Sequence, residues 1–100
     1  MIEGFDWDEG NAQKCQKHGL ALMEVEAVFR YPHHISPDLA HSTEETRLIA
    51  IGQGGGSRSI FVAFTIRDID GETFIRPISA RYMHSKEVAG YEEDTAKPDH

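Results

Sequence analysis

Four polar side chains on two neighbouring apolar segments form the strongest candidate for a chemical site. Residues 60–67 and 73–81 are rich in β-branched and aromatic residues, and the polar segment between them predicts a hairpin turn. Because side chains alternate along a strand, some polar residues should share the face opposite the apolar set. These are Thr65, Arg67, Ser79 and Arg81. We expect the two guanidinium groups to converge, which indicates a phosphate site because close arginines repel unless an anion lies between them.

Two helices are expected before this hairpin. Asp6 or Asp8 can cap a first helix that runs to about His18. Apolar residues recur at helical spacing in 20–31, and Pro32 ends that segment. A single core should then combine the apolar stripe of the second helix with the apolar face of the hairpin. Its predicted members are Leu22, Val25, Phe29, Ile60, Val62, Phe64 and Ile78.

The remaining segments predict the rest of the sheet and a last helix. Residues 33–41 are interrupted by a proline and predict an irregular strand, and 46–51 predict the next strand. The glycine-rich segment 52–58 predicts a turn. It is not a phosphate loop, because it lacks the Gly-Lys-Ser/Thr ending and no helix follows it. Residues 83–93 predict a helix.

This order of elements predicts an α+β fold. Strands joined by short turns favour an antiparallel sheet of four to five strands, with two N-terminal helices and one C-terminal helix. One hundred residues suffice for one small core, so we expect a single domain over 1–94 and a polar tail over 95–100. The first residues carry acids and no long apolar run, so we expect neither a signal peptide nor a membrane span, and a cytoplasmic location.

Charge and cysteine content exclude several classes of function. The formal net charge of −7 argues against indiscriminate binding to nucleic acid, which depends on lysine and arginine. A local basic patch stays open, because Arg67, Arg76, Arg81 and Lys86 fall in or next to the hairpin. The single Cys15 cannot form an internal disulfide, which is typical of a reducing compartment.

Metal and hydrolase sites are not expected. A metal site would use His33, His34 and His41, but His33 and His34 are adjacent on an extended segment and point to opposite faces, so these two cannot easily share one ion. Ser79 and His84 are close in sequence, but nothing around them predicts a nucleophile elbow or an oxyanion loop. We therefore expect no metal and no cofactor.

Six short motifs follow one another between residues 5 and 92. They are Trp7-Asp-Glu-Gly-Asn11, Lys17-His-Gly19, Glu45 with Arg47, Ala50-Ile-Gly52, Phe64-Thr-x-Arg67 and Ile78-Ser-Ala-Arg81, followed by Glu87 and Tyr91. In this order they resemble the BrnT toxins of bacterial toxin–antitoxin operons. Two positions depart from that pattern: Asn11 stands where many relatives carry lysine, and Thr46 stands where a glutamate is usual.

The resemblance implies a RelE-like fold and a metal-independent ribonuclease that blocks translation. It also implies neutralisation by a ribbon-helix-helix antitoxin encoded nearby, with a heterotetramer as the expected complex, and no membrane partner. The residues that it assigns to catalysis are Arg67, Arg81, His18 and Arg47. Expected contacts with the RNA substrate come from Lys17, Thr65, Ser79 and His84.

Each of these assignments has a structural alternative. His18 could simply close its helix, and Arg81 could pair with Glu87 across the following turn. Arg67 and Arg47 have ion pairing as their alternative. Trp7 is interpreted as a core anchor rather than a platform for base stacking. At the level of function, the alternative is a non-catalytic protein of the same fold that binds an antitoxin or represses its own operon with it.

Overall fold

A five-stranded sheet and two helices are found in the part of the chain that this computed structural model describes, residues 2–31, 33–38, 46–54 and 58–83. The elements are β1 (Ile2–Phe5), α1 (Glu9–Gln16), α2 (Leu22–Val28), β2 (His33–Pro37), β3 (Leu48–Gln53), β4 (Ser59–Ile69) and β5 (Glu72–Tyr82). The predicted α+β class is confirmed. Apart from Met83, the helix predicted over 83–93 lies outside the described residues, as does the tail over 95–100.

The sheet is mixed, so the prediction of an antiparallel sheet is wrong at one edge. The strand order is β1-β5-β4-β3-β2; strands β2 to β5 pair antiparallel in succession, but β1 runs parallel to β5. Short turns fix the direction of consecutive strands, and for this reason the sequence predicts those four correctly. No turn joins β1 to β5, because both helices and three strands lie between them, so the direction of β1 could not be inferred.

The hairpin of β4 and β5 closes through a two-residue turn. Asp70 and Gly71 have φ angles of 52° and 83°. Positive φ at both positions is what a type I′ turn requires, and Asp-Gly is a preferred sequence for it. Ile69 pairs with Glu72 on either side of this turn. The predicted hairpin is confirmed, but its turn is shorter than the predicted 68–72, because Asp68, Ile69 and Glu72 belong to the strands.

A β-bulge in β5 changes which residues face the core. Ala63 pairs with Ser79, but the next residue, Phe64, pairs with Pro77, so Ile78 is an extra residue. Proline has no N–H to donate to a strand ladder and is therefore found at bulges and edges. The prediction that Ile78 belongs to the core is wrong: Pro77 is fully buried in its place, and Ile78 is only half-buried.

The hydrophobic core lies on one face of the sheet, where residues of both helices pack against β3, β4 and β5. We call this the core face and the opposite one the second face. The other six residues predicted for the core are confirmed as buried in it or packed against it: Leu22, Val25, Phe29, Ile60, Val62 and Phe64. Trp7 also packs against this cluster, and its Nε1 donates a 2.8 Å hydrogen bond to Glu26, which confirms its interpretation as an anchor.

Helix α1 begins at a reciprocal cap. The carboxylate of Asp8 accepts from the backbone N–H of Asn11 at 2.9 Å, and the amide oxygen of Asn11 accepts from the backbone N–H of Asp8 at 2.7 Å. Of the two predicted caps, Asp8 is therefore the one used. Gly19 follows the helix with a φ of 91°, a conformation that favours glycine.

Candidate nucleic-acid interface

The second face carries the four hairpin residues selected from the sequence. On β4, Thr65 and Arg67 alternate away from the buried Phe64. On β5, Ser79 and Arg81 pair with Ala63 and Phe61 of the same face of β4. Their common face was predicted, and the strand register confirms it.

The predicted convergence of Arg67 and Arg81 is wrong. Arg67 pairs with Phe74 close to the hairpin turn, whereas Arg81 pairs with Phe61 near the other end of β4. Positions 61 and 67 are six residue steps apart, which is about 20 Å along the strand. Residues at equal distances from a hairpin turn face each other, and these two arginines stand at very different distances from it. The Arg81 guanidinium lies 4.7 Å from the centre of the Phe61 ring, a cation–π contact.

The register brings a different pair of arginines into one row on the second face. Leu48 pairs with Phe64, so Arg47, one residue earlier, comes beside Thr65. Thr65 in turn pairs with Arg76. The backbone oxygen of Arg47 accepts a hydrogen bond from Asp38 at 2.8 Å, which continues the pairing of β2 with β3 to this position. Two arginine positions thus lie on either side of one threonine.

Thr65 itself is buried, with only 2% of its surface exposed. Its hydroxyl oxygen has no hydrogen-bond partner within the described ranges. A buried hydroxyl without a partner costs stability, typically about 1–3 kcal/mol, so its presence in a strand needs an explanation. The substrate contact expected of Thr65 would require a ligand atom to reach this oxygen.

Arg76 is held in place by two carboxylates. Its Nη1 donates to Asp6 Oδ2 at 3.2 Å, and its Nη2 donates to Asp8 Oδ2 at 2.6 Å. The hydrogen bond with Asp8 is the main cause that raises the pKa of Arg76. The backbone N–H of Asn11, followed by Arg76, lowers the pKa of Asp8. Both side chains are therefore charged at neutral pH, and the guanidinium is fixed in orientation.

A cavity of about 610 Å³ opens where this arginine row meets the start of α1. It is lined by Asp8, Gly10, Asn11, Lys14, Arg47, Arg76, Pro77 and Ile78. We call it the arginine cavity. The lining contains three cationic side chains, Lys14, Arg47 and Arg76, of which Arg76 is paired with Asp6 and Asp8; their N–H groups suit an anion such as a phosphodiester.

Asn11 joins the start of α1 to the bulge beside the cavity. Its Nδ2 donates to the backbone oxygens of Asp6 and Pro77, at 2.9 and 2.8 Å. The residue is buried. Lysine is expected at this position in many relatives. In this chain the side-chain amide of Asn11 instead forms hydrogen bonds with the protein's own backbone.

Arg76 and Lys14 belong to the cavity but were not selected from the sequence. With regular alternation along β5, Arg76 would share the core face with Ala80; the bulge reverses the alternation and moves Arg76 to the second face. Pro77 within a strand pattern is the signal that could have indicated the bulge. Lys14 had no sequence signal of this kind.

Among the predicted site residues within the described ranges, Arg47 alone lines the arginine cavity. Lys17 and His18 are exposed, at the opposite end of α1 from Asp8. Ser79 is half-buried on the second face, between the rows of Arg76 and Arg81. His84 lies outside the described residues.

A family model described as "Ribonuclease toxin, BrnT, of type II toxin-antitoxin system" matches residues 7–87. This chain belongs to the BrnT family. The matched span contains every residue that lines the arginine cavity. BrnT membership supports a ribonuclease toxin of a type II system, with an antitoxin as partner and RNA as substrate. No curated protein matches the chain.

Two further observations concern membranes and metals. Neither α1 nor α2, the helices of the described ranges, has the length and apolar character needed to cross a membrane. Among residues 2–31, 33–38, 46–54 and 58–83 there is no group of three His, Cys, Asp or Glu side chains arranged to hold a metal ion.

Proposed function

We propose that this BrnT-family protein is an endoribonuclease that cleaves RNA without a metal ion or cofactor and thereby inhibits translation in the cytoplasm. We further propose a RelE-like fold and neutralisation by a ribbon-helix-helix antitoxin in a heterotetramer. The family match supports the ribonuclease and the antitoxin. The α+β architecture, with a basic second face, is consistent with the fold.

The observation that carries this proposal is the pairing of Arg47 and Arg76 across buried Thr65 at the arginine cavity. A guanidinium group stays charged and can donate two parallel hydrogen bonds to phosphate oxygens. Lys14 adds a third positive charge at the cavity wall. Thr65 is not among the residues that line the cavity; we propose that its buried hydroxyl, which lacks a partner among the described side chains, donates to a phosphate oxygen when RNA binds between the arginines.

The reaction that suits this arrangement is attack of a ribose 2′-oxygen on the adjacent phosphorus. The 2′-hydroxyl loses its proton to a general base as it attacks, the bond from phosphorus to the 5′-oxygen breaks, and a general acid protonates that oxygen, which leaves a 2′,3′-cyclic phosphate and a 5′-hydroxyl. Negative charge grows on the phosphoryl oxygens in the transition state, and fixed cationic donors such as Arg76 stabilise it. Asp8 holds Arg76 in place rather than accepting the proton, because its lowered pKa makes it a weak base. The family resemblance keeps His18 as our candidate for proton transfer, although it lies at the opposite end of α1 from Asp8 and outside the cavity lining.

Arg67 and Arg81 extend the basic surface on either side of this row. Along β4, position 67 is about 7 Å from Thr65, and Phe61, the partner of Arg81, is about 13 Å from Thr65 in the other direction. We therefore assign the two arginines, with Ser79 between the rows, to neighbouring phosphates of a single RNA strand. Lys17 and His84 stay in the proposal as further substrate contacts.

Incubation of the purified protein with total RNA in EDTA tests this function. Arg47→Ala should lower the cleavage rate by about 10²–10³-fold, the usual effect of losing one transition-state donor. Lys14→Ala and Arg81→Ala should have smaller effects, because each removes a contact beside the reacting phosphate. Arg30→Ala is the matched control: this exposed arginine, two residues past the end of α2, pairs with Glu26, and its loss should leave cleavage unchanged.

Thr65→Val separates a role in binding from a role in packing. If the hydroxyl plays no part in RNA binding, its replacement by a methyl group should leave cleavage unchanged. The free energy of unfolding should then rise, because a buried polar atom without a partner has been removed. We expect instead a folded protein with weaker RNA cleavage. Equal cleavage by the parent, Arg47→Ala and Thr65→Val proteins, all shown to be folded by thermal melting, would rule out the arginine cavity as the active site.

A non-catalytic antitoxin-binding protein is the second candidate. The observation that favours it is the neutralisation of Arg76 by Asp6 and Asp8, which reduces the charge available for RNA. This alternative predicts that expression without the antitoxin does not arrest growth, although the antitoxin is still bound. The ribonuclease proposal predicts arrest that Arg47→Ala relieves.

A further inference from the structure

An apolar groove crosses the core face of the sheet near the hairpin turn, beyond the area where the two helices pack. Its cavity has a volume of about 420 Å³. The groove is lined by Ile2, Glu3, Gly4, Phe5, Phe29, Arg30, His33, Ile35, Phe64, Ile66 and Ile75. Phe29, just past the end of α2, forms its wall, with ring centres 5.7 Å from Phe5 and 5.0 Å from Phe64.

Large apolar side chains of this groove are open to solvent. Ile2 is 45% exposed, Ile35 53% and Ile66 41%. They come from three different strands and meet around one depression, so they form a contiguous patch rather than scattered apolar residues. Contiguous apolar patches on a protein surface indicate sites of protein interaction.

The charge around the groove is negative. Glu3 lines it, and Asp68 follows Ile66 on the same face of β4, where it accepts a 2.9 Å hydrogen bond from Thr73. The one arginine in the lining, Arg30, pairs with Glu26 at 3.4 Å and is thereby offset. A partner with positive charges beside its apolar side chains would complement this rim.

The shape of the groove favours a helix over an added strand. From β1 to β2 the sheet spans four interstrand spacings, about 19 Å, which is the length of a helix of three to four turns. Strand addition is disfavoured at both edges of the sheet. Strand β1 has four residues, with an irregular register between Ile2 and Gly4, and β2 contains Pro37, which cannot donate a backbone hydrogen bond.

We propose that the apolar groove binds an amphipathic helix of the antitoxin, one whose leucine-like side chains are flanked by lysine or arginine. The identity of the partner rests on the proposed function, whereas the chemistry of the helix follows from the groove itself. Burial of Ile35, Ile66 and Phe29 supplies the affinity. Glu3 and Asp68 select the cationic flank.

A 14-residue amphipathic Leu/Lys peptide, with a Leu/Glu peptide of the same pattern, tests the groove directly. Titration by fluorescence anisotropy should show binding of the Leu/Lys peptide and at least tenfold weaker binding of the Leu/Glu peptide. Ile66→Lys should weaken the Leu/Lys complex at least tenfold. Ile69→Lys is the matched control, because Ile69 is 40% exposed on the opposite face of the same strand and should keep parent affinity.

The same variants separate this proposal from the ribonuclease assignment. Ile66→Lys should still cleave RNA but should escape neutralisation when it is expressed with the small protein encoded beside its gene. Arg47→Ala should lose cleavage and keep binding to the Leu/Lys peptide. Equal affinity of the parent and of folded Ile66→Lys and Ile35→Lys proteins would overturn the proposal. Sedimentation showing a parent dimer that Ile66→Lys dissociates would also overturn it, in favour of a second copy in the groove.

Discussion

At the scale of single residues, Asn11 shows why a departure from the family pattern has to be interpreted in three dimensions. From sequence alone, asparagine in place of lysine indicates a lost positive charge at an RNA site. In the structure Asn11 is buried, and its amide joins Asp6 to the bulge carbonyl of Pro77. A lysine at this buried position would have to extend its charge toward the cavity, whose lining here already contains Lys14, Arg47 and Arg76.

The lowered pKa of Asp8 predicts how the stability of the protein depends on pH. Its folded-state pKa lies below the ordinary value, chiefly because of the Asn11 backbone N–H and then Arg76. Its contribution to stability is therefore complete above the unfolded pKa, near pH 4, and is lost as pH falls through the folded value. In urea unfolding, Asp8→Asn should be less stable than the parent at pH 7, and this difference should shrink toward pH 3.

Glu9→Gln is the control for this titration. Glu9 is exposed in the first turn of the same helix and has one hydrogen bond, from Gln13 at 3.4 Å. Its effect on the free energy of unfolding should be small at both pH values. A stability difference between the parent and Asp8→Asn that stays constant from pH 7 to pH 3 would contradict the assigned coupling with Arg76.

At the scale of elements, the sequence predicts best what neighbouring residues determine. The hairpin could be predicted because its strands are β-branched and its turn contains Asp-Gly, both local properties. The parallel pairing of β1 with β5 could not, because it joins distant segments. The bulge at Ile78 has the greatest consequence for the proposed site: it reverses the alternation along β5 and brings Arg76, rather than Pro77, beside Thr65.

The turn of this hairpin allows a test of its geometry. Gly71 has a φ of 83°, which costs a residue with a side chain about 1–2 kcal/mol. Gly71→Ala should therefore lower the free energy of unfolding by about that amount, measured in urea. Asp70→Asn is the matched control, since asparagine tolerates the φ of 52° at that position and should leave stability nearly unchanged. If the Gly71→Ala protein proved as stable as the parent, the turn would not be of type I′.

At the scale of the whole molecule, charge is distributed unevenly. The net charge is −7, yet four of the arginines, Arg47, Arg67, Arg76 and Arg81, belong to the second face. The apolar groove with its acidic rim lies on the core face. The two proposed partners, RNA and a cationic helix, would therefore approach opposite faces, so binding in the groove anchors the antitoxin without itself filling the arginine cavity.

This distribution predicts how association with the antitoxin depends on salt. A cationic partner is steered by a protein of net charge −7, and steering acts over the Debye length, about 30 Å at 0.01 M salt and about 8 Å at 0.15 M. In stopped-flow experiments the association rate should fall several-fold over this range, while the dissociation rate should change little because buried apolar contacts determine it. Asp68→Asn should lower the association rate at 0.01 M more than at 0.15 M, since screening removes the effect of a rim charge. An association rate that stays flat across this range would leave the apolar contacts of the groove as the only basis for recognition.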